Sequence, residues 1–257
     1  QEIGVHAPRI LQRSERDGFL LLTDLGTTMY LPELTRPGQA DRLYADALAA
    51  LVQMQARGVR AAAELPPYDE KLLRFEMNLF PAWLLQRHLS LELSPRETQM
   101  LQQAMTALVA NALEQPQVFV HRDYHSRNLM VCPEANPGII DFQDAVCGGL
   151  TYDLVSLLRD SYIAWPQARV VGWALEFRRL ALAAGLAAGR DEAQFLRWFD
   201  LMGVQRHLKV GGIFARLCHR DGKPGYLADI PRTLQSAVDP CARCRFAGDS
   251  LPSSTVG

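Results

Sequence analysis

The sequence predicts an α+β fold in which helices dominate. Three observations carry this: apolar residues recur at helical spacing along most of the chain, short β-type runs cluster in its middle, and the composition is that of a globular protein. Of 257 residues, 48% are apolar and 21% charged, enough to bury a core and too many apolar groups for a disordered chain. At this length one large domain or two unequal lobes are both accommodated, because single cores stop growing at roughly 250 residues.

Taken in order, Gly18 to Thr23 is an apolar run bounded by Asp17-Gly18 and Gly26, the pattern of a buried strand ending in a turn. From Asp41 to Gln55 the residues Leu43, Tyr44, Ala47, Leu48, Leu51 and Val52 recur at three and four, giving a helix with one buried face. Glu70 to His88 continues the pattern around Phe75, Leu79 and Trp83, with Pro81 kinking or dividing the helix. Ser94-Pro95-Arg96-Glu97 is a capping box with Pro at the first helical position, opening a helix that runs to about Glu114. Val118–Val120, Leu129–Val131 and Gly138–Ile140 read as short strands that carry loops rather than build a large sheet. Further helices are expected over Tyr152–Ile163, Gln167–Ala184 and Asp191–Leu217, and Ser236–Gly257 loses periodicity and reads as a loose tail.

Charge and composition exclude several function classes. Lys and Arg number 27 against 28 Asp and Glu, without the basic excess of a nucleic-acid binder. No apolar run approaches the roughly 18 residues of a membrane span. The five cysteines, Cys132, Cys147, Cys218, Cys241 and Cys244, form an odd set without framework spacing, which favours a reducing, cytoplasmic setting. No signal peptide is visible at Gln1–Val5. No protein partner is indicated.

The chemistry lies in the middle. His121-Arg122-Asp123-Tyr124-His125-Ser126-Arg127-Asn128 has the form H-R-D-x-x-x-x-N, and Asp141-Phe142-Gln143 begins 18 residues after Asp123. Phosphoryl transfer to a hydroxyl asks for an Asp that orients and deprotonates the hydroxyl, here Asp123. It also asks for an amide oxygen and a carboxylate that hold Mg²⁺ on nucleotide phosphates, here Asn128 and Asp141. Either motif alone is common in polar loops; correct spacing and flanking strands make them one site. A hairpin centred between Glu134 and Ala135 pairs positions that sum to 269, so Leu129 faces Ile140 and Asn128 faces Asp141. Directly opposed Cβ atoms lie about 5 Å apart, close enough to share an ion.

At these residues the sequence resembles the aminoglycoside-phosphotransferase and choline-kinase family of small-molecule kinases. Protein kinases fit less well, because Asp141 leads within a dozen residues to Gly148-Gly149-Leu150-Thr151-Tyr152-Asp153, with no activation loop or A-P-E segment. The resemblance implies a protein-kinase-like two-lobed fold, with the mainly helical large lobe present and most of the β-rich small lobe missing. Residues 1–26 would be the small-lobe remnant and hinge, 27–235 the large lobe and 236–257 the tail. No Gly-rich loop and no phosphate-binding Lys precede Gly18, and the chain reads as truncated by some 70 to 90 residues. Gly149 stands where family members tend to have Pro.

Within the family, Gly4–Ile10, Gly18–Gly26, Val120–Met130, Thr151–Asp160 and Gln205–Leu217 resemble the bacterial branch that phosphorylates N-acetylmuramate and N-acetylglucosamine at the anomeric hydroxyl in cell-wall recycling. Carried over, Asp123 is the base, Asn128 and Asp141 are the Mg²⁺ ligands, and ATP is the donor. The anomeric hydroxyl is the most acidic of a sugar, so an Asp of ordinary basicity suffices. His125 would donate to the transferring phosphate or brace the loop. Leu22, Thr23, Asp24 and Leu25 would be the hinge that meets adenine. His121, Arg122 and Asp153 would support the catalytic loop.

Arg159, Asp160, Arg206 and Lys209 are polar residues on the predicted lobe helices offered to meet the sugar or its lactyl carboxylate, with surface salt bridging as the stronger competing reading for any one of them. Trp83, Trp165, Trp173 and Trp198 are offered for sugar stacking, with core packing as the competing reading at helical spacing. Cys241 and Cys244 read as an incidental pair in the tail, and His6, His88 and His219 as surface or connector residues. Two alternatives stand beside the sugar kinase: a kinase for another small alcohol such as an aminoglycoside or choline, and a non-catalytic fragment that retains a sugar pocket. Loss of the small lobe would leave the hinge face exposed and prone to self-association.

Overall fold

A computed structural model describes residues 3–235; the expected tail over 236–257, with Cys241 and Cys244, lies outside the described residues. The first element is an antiparallel hairpin of β1 (Ile10–Ser14) and β2 (Phe19–Leu22). The strand expected at Gly18–Thr23 is there, but it is not buried: Phe19 is 72% exposed, Leu20 58% and Leu21 57%. A ribbon of two strands has no second layer against which to bury a face.

Helices α1 (Tyr30–Leu34), α2 (Ala40–Arg57) and α3 (Val59–Glu64) follow. All the apolar positions predicted for α2, from Leu43 to Val52, are buried. Helix α4 (Glu70–Met77) is N-capped by Asp69, whose carboxylate accepts from the Leu72 N–H at 2.8 Å. Pro81 then falls in the first turn of a π-helix, Phe80–His88, so the expected segment is two pieces. Its buried stripe also differs from expectation, because Phe75 is 63% exposed while Leu73, Glu76 and Met77 face inward. Helix α5 (Pro95–Leu113) opens with both halves of the predicted capping box formed, a cap contributing about 1 kcal/mol.

The middle holds β3 (Gln117–Val120), β4 (Leu129–Met130), β5 (Gly138–Ile139) and β6 (Val146–Gly149). β3 pairs with β6 and β4 with β5. The β4–β5 register departs from the prediction by one residue: Leu129 pairs with Ile139 and Met130 with Gly138. The connection therefore holds seven residues, 131–137, centred on Glu134, and the Ile140 N–H donates to the Asn128 carbonyl at 3.1 Å.

Helix α6 (Tyr152–Leu158) is buried at every residue and stops short of the expected Ile163, where the Asp160 carboxylate accepts from the Tyr162 N–H at 3.0 Å. Helix α7 (Gln167–Ala183) precedes α8 (Glu192–Asp221), 30 residues N-capped by Asp191 and closed by Gly222 at φ 65°. A 3₁₀ turn, Pro224–Asp229, ends the described elements. Two cores result. The larger joins α2, α5, α6, α7 and the first turns of α8; the smaller gathers Leu84, Val210, Phe214, Ala215 and Ile230 between the π-helix and the middle of α8. Among the described residues no helix is long and apolar enough to cross a membrane.

Candidate active site

The loop from His121 to Asn128 leaves β3 and is held at both ends by buried carboxylates. Asp153, in the first turn of α6, accepts from the His121 N–H at 2.7 Å and the Arg122 N–H at 3.0 Å. Burial raises its pKa to about 7, against the two backbone donors that pull it down. At the other end Asp160 accepts from the Ser126 N–H at 3.0 Å and from its hydroxyl. Between them the Tyr124 hydroxyl donates to the Ala47 carbonyl of α2 at 2.8 Å, so the larger core carries the loop.

His121 is a structural element of the loop. Burial lowers its pKa to about 4, so the ring is neutral near neutral pH. Its Nε2 lies 3.0 Å from the Ile140 carbonyl and its Nδ1 3.3 Å from the Asp123 N–H; the carbonyl requires a donor and the N–H an acceptor, which assigns the proton to Nε2. Arg122 stands at φ 74° and Asp141 at φ 68°, left-handed conformations that cost a non-glycine residue roughly 1 kcal/mol or more. The backbone hydrogen bond to Asp153, the ion pair of Arg122 with Glu76, and a 3.3 Å hydrogen bond from Arg122 to the Asp144 carbonyl over-determine the first.

The left-handed turn at Asp141 explains how Asn128 and Asp141 meet despite the shifted register. Opposed to Ile140 across the ladder, Asn128 nonetheless donates from Nδ2 to the Asp141 carboxylate at 3.2 Å and to the Asp123 carbonyl at 3.1 Å. With the amide nitrogen so engaged, Oδ1 is the atom of Asn128 left for a cation. One carboxylate and one amide oxygen are hard donors that suit Mg²⁺, an ion that keeps several waters and phosphate oxygens in its shell. Among the described residues no group of three His, Cys, Asp or Glu side chains offers a fuller protein cage.

Asp123, His125, Asn128 and Asp141 line one cavity of about 510 Å³, together with Arg122, Arg206 and Lys209. Its far wall is one face of α8, Arg206, Lys209, Val210, Ile213, Phe214 and Leu217, which share a stripe at helical spacing. Lys209 donates to the Tyr152 hydroxyl at 2.8 Å and pairs with Glu76 at 3.1 Å. Burial opposes its charge, but Tyr152 and Glu76 outweigh that and raise its pKa. Burial lowers the pKa of His125, with Asp160 opposing and Arg206 reinforcing the shift.

Other predicted residues lie elsewhere. Arg159 is ion-paired with Asp200, its guanidinium 4.4 Å from the Phe199 ring, and Asp160 is spent on the loop and the Tyr162 N–H; neither lines the cavity. No tryptophan does so either. The Trp165 indole donates to the Tyr44 hydroxyl at 2.8 Å, and the aromatic lining is Tyr152, Tyr162, Phe214 and Tyr226. Thr23, Asp24 and Leu25 line a separate cleft with His6 and Ala135, while Leu22 is exposed. The segment after them is bridged to the metal-loop hairpin through the Val131 N–H and the Thr28 carbonyl at 2.8 Å.

Glu76 is the important residue that sequence reasoning missed. It is 4% exposed and receives Tyr68, Arg122 and Lys209. A carboxylate on the apolar stripe of α4, between Leu73 and Met77, was the available signal, hidden by placing Phe75 on that stripe.

The model of the phosphotransferase enzyme family matches residues 1–196. An N-acetylmuramate/N-acetylglucosamine kinase of Pseudomonas aeruginosa is 52% identical over 257 residues, covering 99% of this chain and 75% of its own length. The kinase of the same description from Pseudomonas putida is 50% identical over 228 residues, covering 89% and 66% respectively. The chain thus spans 66% to 75% of the length of these two relatives. Among solved structures, a choline kinase from Cryptosporidium parvum superposes with a TM-score of 0.63 at 12% identity, covering 95% of this chain and 76% of that one. With the family match reaching from residue 1 into α8, and a relative more than half identical along nearly all of it, this chain belongs to the phosphotransferase enzyme family.

Proposed function

We propose that this chain transfers the γ-phosphoryl group of ATP to the anomeric hydroxyl of an N-acetylated amino sugar, N-acetylmuramate or N-acetylglucosamine, as part of peptidoglycan recycling in the cytoplasm. The observation that carries the reading is one cavity lined by Asp123, Asn128 and Asp141 together with Arg206 and Lys209 of α8. The names of the two Pseudomonas relatives supply the sugar class.

Asp123 holds the sugar hydroxyl and takes its proton as the oxygen attacks the γ-phosphorus, while the bond from that phosphorus to the β–γ bridging oxygen breaks and ADP leaves. Asn128 and Asp141 are the ligands for Mg²⁺, which when bound neutralises charge on the nucleotide phosphates. The cleft at Thr23–Leu25 receives the adenine side of the nucleotide. Burial disfavours the charged form of His125, and its Nδ1 has no hydrogen-bond partner; it donates to the transferring phosphate. His125→Ala should lower kcat tenfold or more, on the order of a lost charge-assisted hydrogen bond, and unchanged turnover removes that role.

An aminoglycoside acceptor is disfavoured by the lining. Arg122, Arg127, Arg206 and Lys209 outnumber Asp123 and Asp141, and the two carboxylates sit where phosphate and metal belong, so a polycation meets repulsion. The deciding experiment offers Mg-ATP with N-acetylmuramate, N-acetylglucosamine or kanamycin and follows products by phosphorus NMR. Sugar 1-phosphate is the expected product. Transfer to kanamycin alone, or to no acceptor, would overturn the assignment.

A further inference from the structure

We propose that Arg206 binds a carboxylate on the acceptor, and so sets the preference between N-acetylmuramate and N-acetylglucosamine; the proposal rests on the function given above. Arg206 is 4% exposed, yet among the described residues it has no ion pair within 4 Å, and its Nε and Nη1 are buried without hydrogen-bond partners. Buried cations are ordinarily paired, because an uncompensated charge in a low-dielectric setting is costly.

The other cations of the cavity follow that rule. Lys209 and Arg122 share Glu76, and the exposed Arg127 lies over the Tyr162 ring at 4.6 Å. The carboxylates that could answer Arg206 are occupied: Asp153 by two backbone N–H groups, Asp160 by Ser126 and Tyr162. The cavity wall also holds Ser161 Oγ, buried and unpartnered. An anionic, oxygen-rich acceptor satisfies this set, and a guanidinium is the side chain best shaped to take a carboxylate. Of the two sugars only N-acetylmuramate carries one, on its lactyl ether.

The test uses the full chain with Arg206→Met and Arg206→Lys. In Mg-ATP assays, Arg206→Met should lower the ratio of kcat/KM for N-acetylmuramate to that for N-acetylglucosamine by about thirtyfold, the scale of a charge-assisted pair. Arg206→Lys should recover part of it. A loss shared equally by both sugars overturns the proposal, because Arg206 would then serve the phosphate or the loop.

A calorimetric arm needs no turnover and compares N-acetylmuramate with its methyl ester. The unmodified chain should prefer the free acid tenfold or more, and Arg206→Met should abolish the preference; no preference, or one that survives, overturns the proposal. If neither sugar accepts phosphate while acid discrimination holds, the kinase reading fails and the carboxylate site stands.

Discussion

Asp123→Asn is expected to abolish phosphate transfer, with kcat falling about a thousandfold or more, while the melting temperature stays within a degree or two of the parent. The backbone carbonyl of Asp123 is tied into the loop, accepting from the His125 N–H at 3.0 Å and from Asn128 at 3.1 Å. Its carboxylate, in contrast, has no hydrogen bond or ion pair among the described residues. Exchanging one oxygen for an amide therefore removes proton acceptance, a contribution of roughly 10² to 10⁴, without removing a contact that holds the fold. Thermal melting and initial rates on the same preparation check both halves. Retention of more than a tenth of the parent rate would show that Asp123 is not the base.

Gly212→Ala is expected to destabilise the chain by about 3 kcal/mol or more, at the upper end of the cost of overpacking, lowering its melting temperature by roughly 6 to 12 °C. Helix propensity alone predicts the opposite, since Ala is favoured over Gly by about 1 kcal/mol in a helix interior. The close approach of α8 to the start of the π-helix decides the sign. A Cβ on Gly212 would stand 2.3 Å from the Leu79 carbonyl carbon and 2.6 Å from its oxygen, and backbone cannot swing aside as a side chain can. The whole α8–π-helix contact, on which Leu84, Val210 and Phe214 pack, has to open. Gly172, exposed on α7 with nothing within 4 Å of its virtual Cβ, is the internal control. Gly172→Ala should gain up to about 1 kcal/mol. Equal melting of the two variants would refute the steric account.

These two positions mark what was legible in the sequence. Asp123, Asn128 and Asp141, which line one cavity, could be grouped in advance because the motif that holds them is short and its spacing is local. The stripe of α2 and the capping box at Ser94 were legible for the same reason: periodicity and caps act within one or two turns. The exposed strand β2 was misjudged because an apolar run says that burial is favourable and nothing about whether a second layer exists. β6 was missed because Gly148 and Gly149 have poor strand propensity; they are strand because β3 pairs with them.

The Asn128–Asp141 pair is the instructive case. It was expected from a symmetric hairpin and is found with the register shifted by one. A seven-residue connection set the ladder, and the left-handed conformation of Asp141 brought its carboxylate back to Asn128. The pairing was right although the geometric route to it was not.

By itself, then, the sequence determined the longer helices, the cap at Ser94 and the motif that gathers Asp123, Asn128 and Asp141, all consequences of neighbours within a few positions; the short helices α1 and α3 and the buried Glu76 were not legible in it. Tertiary structure alone decided which charges are answered. Arg159 and Arg206 looked alike as basic residues on predicted helices, yet one is paired with Asp200 across 41 positions while the other faces the cavity unpaired. Charge compensation depends on distance in space, and distance in space between far-apart residues is fixed only when the helices pack.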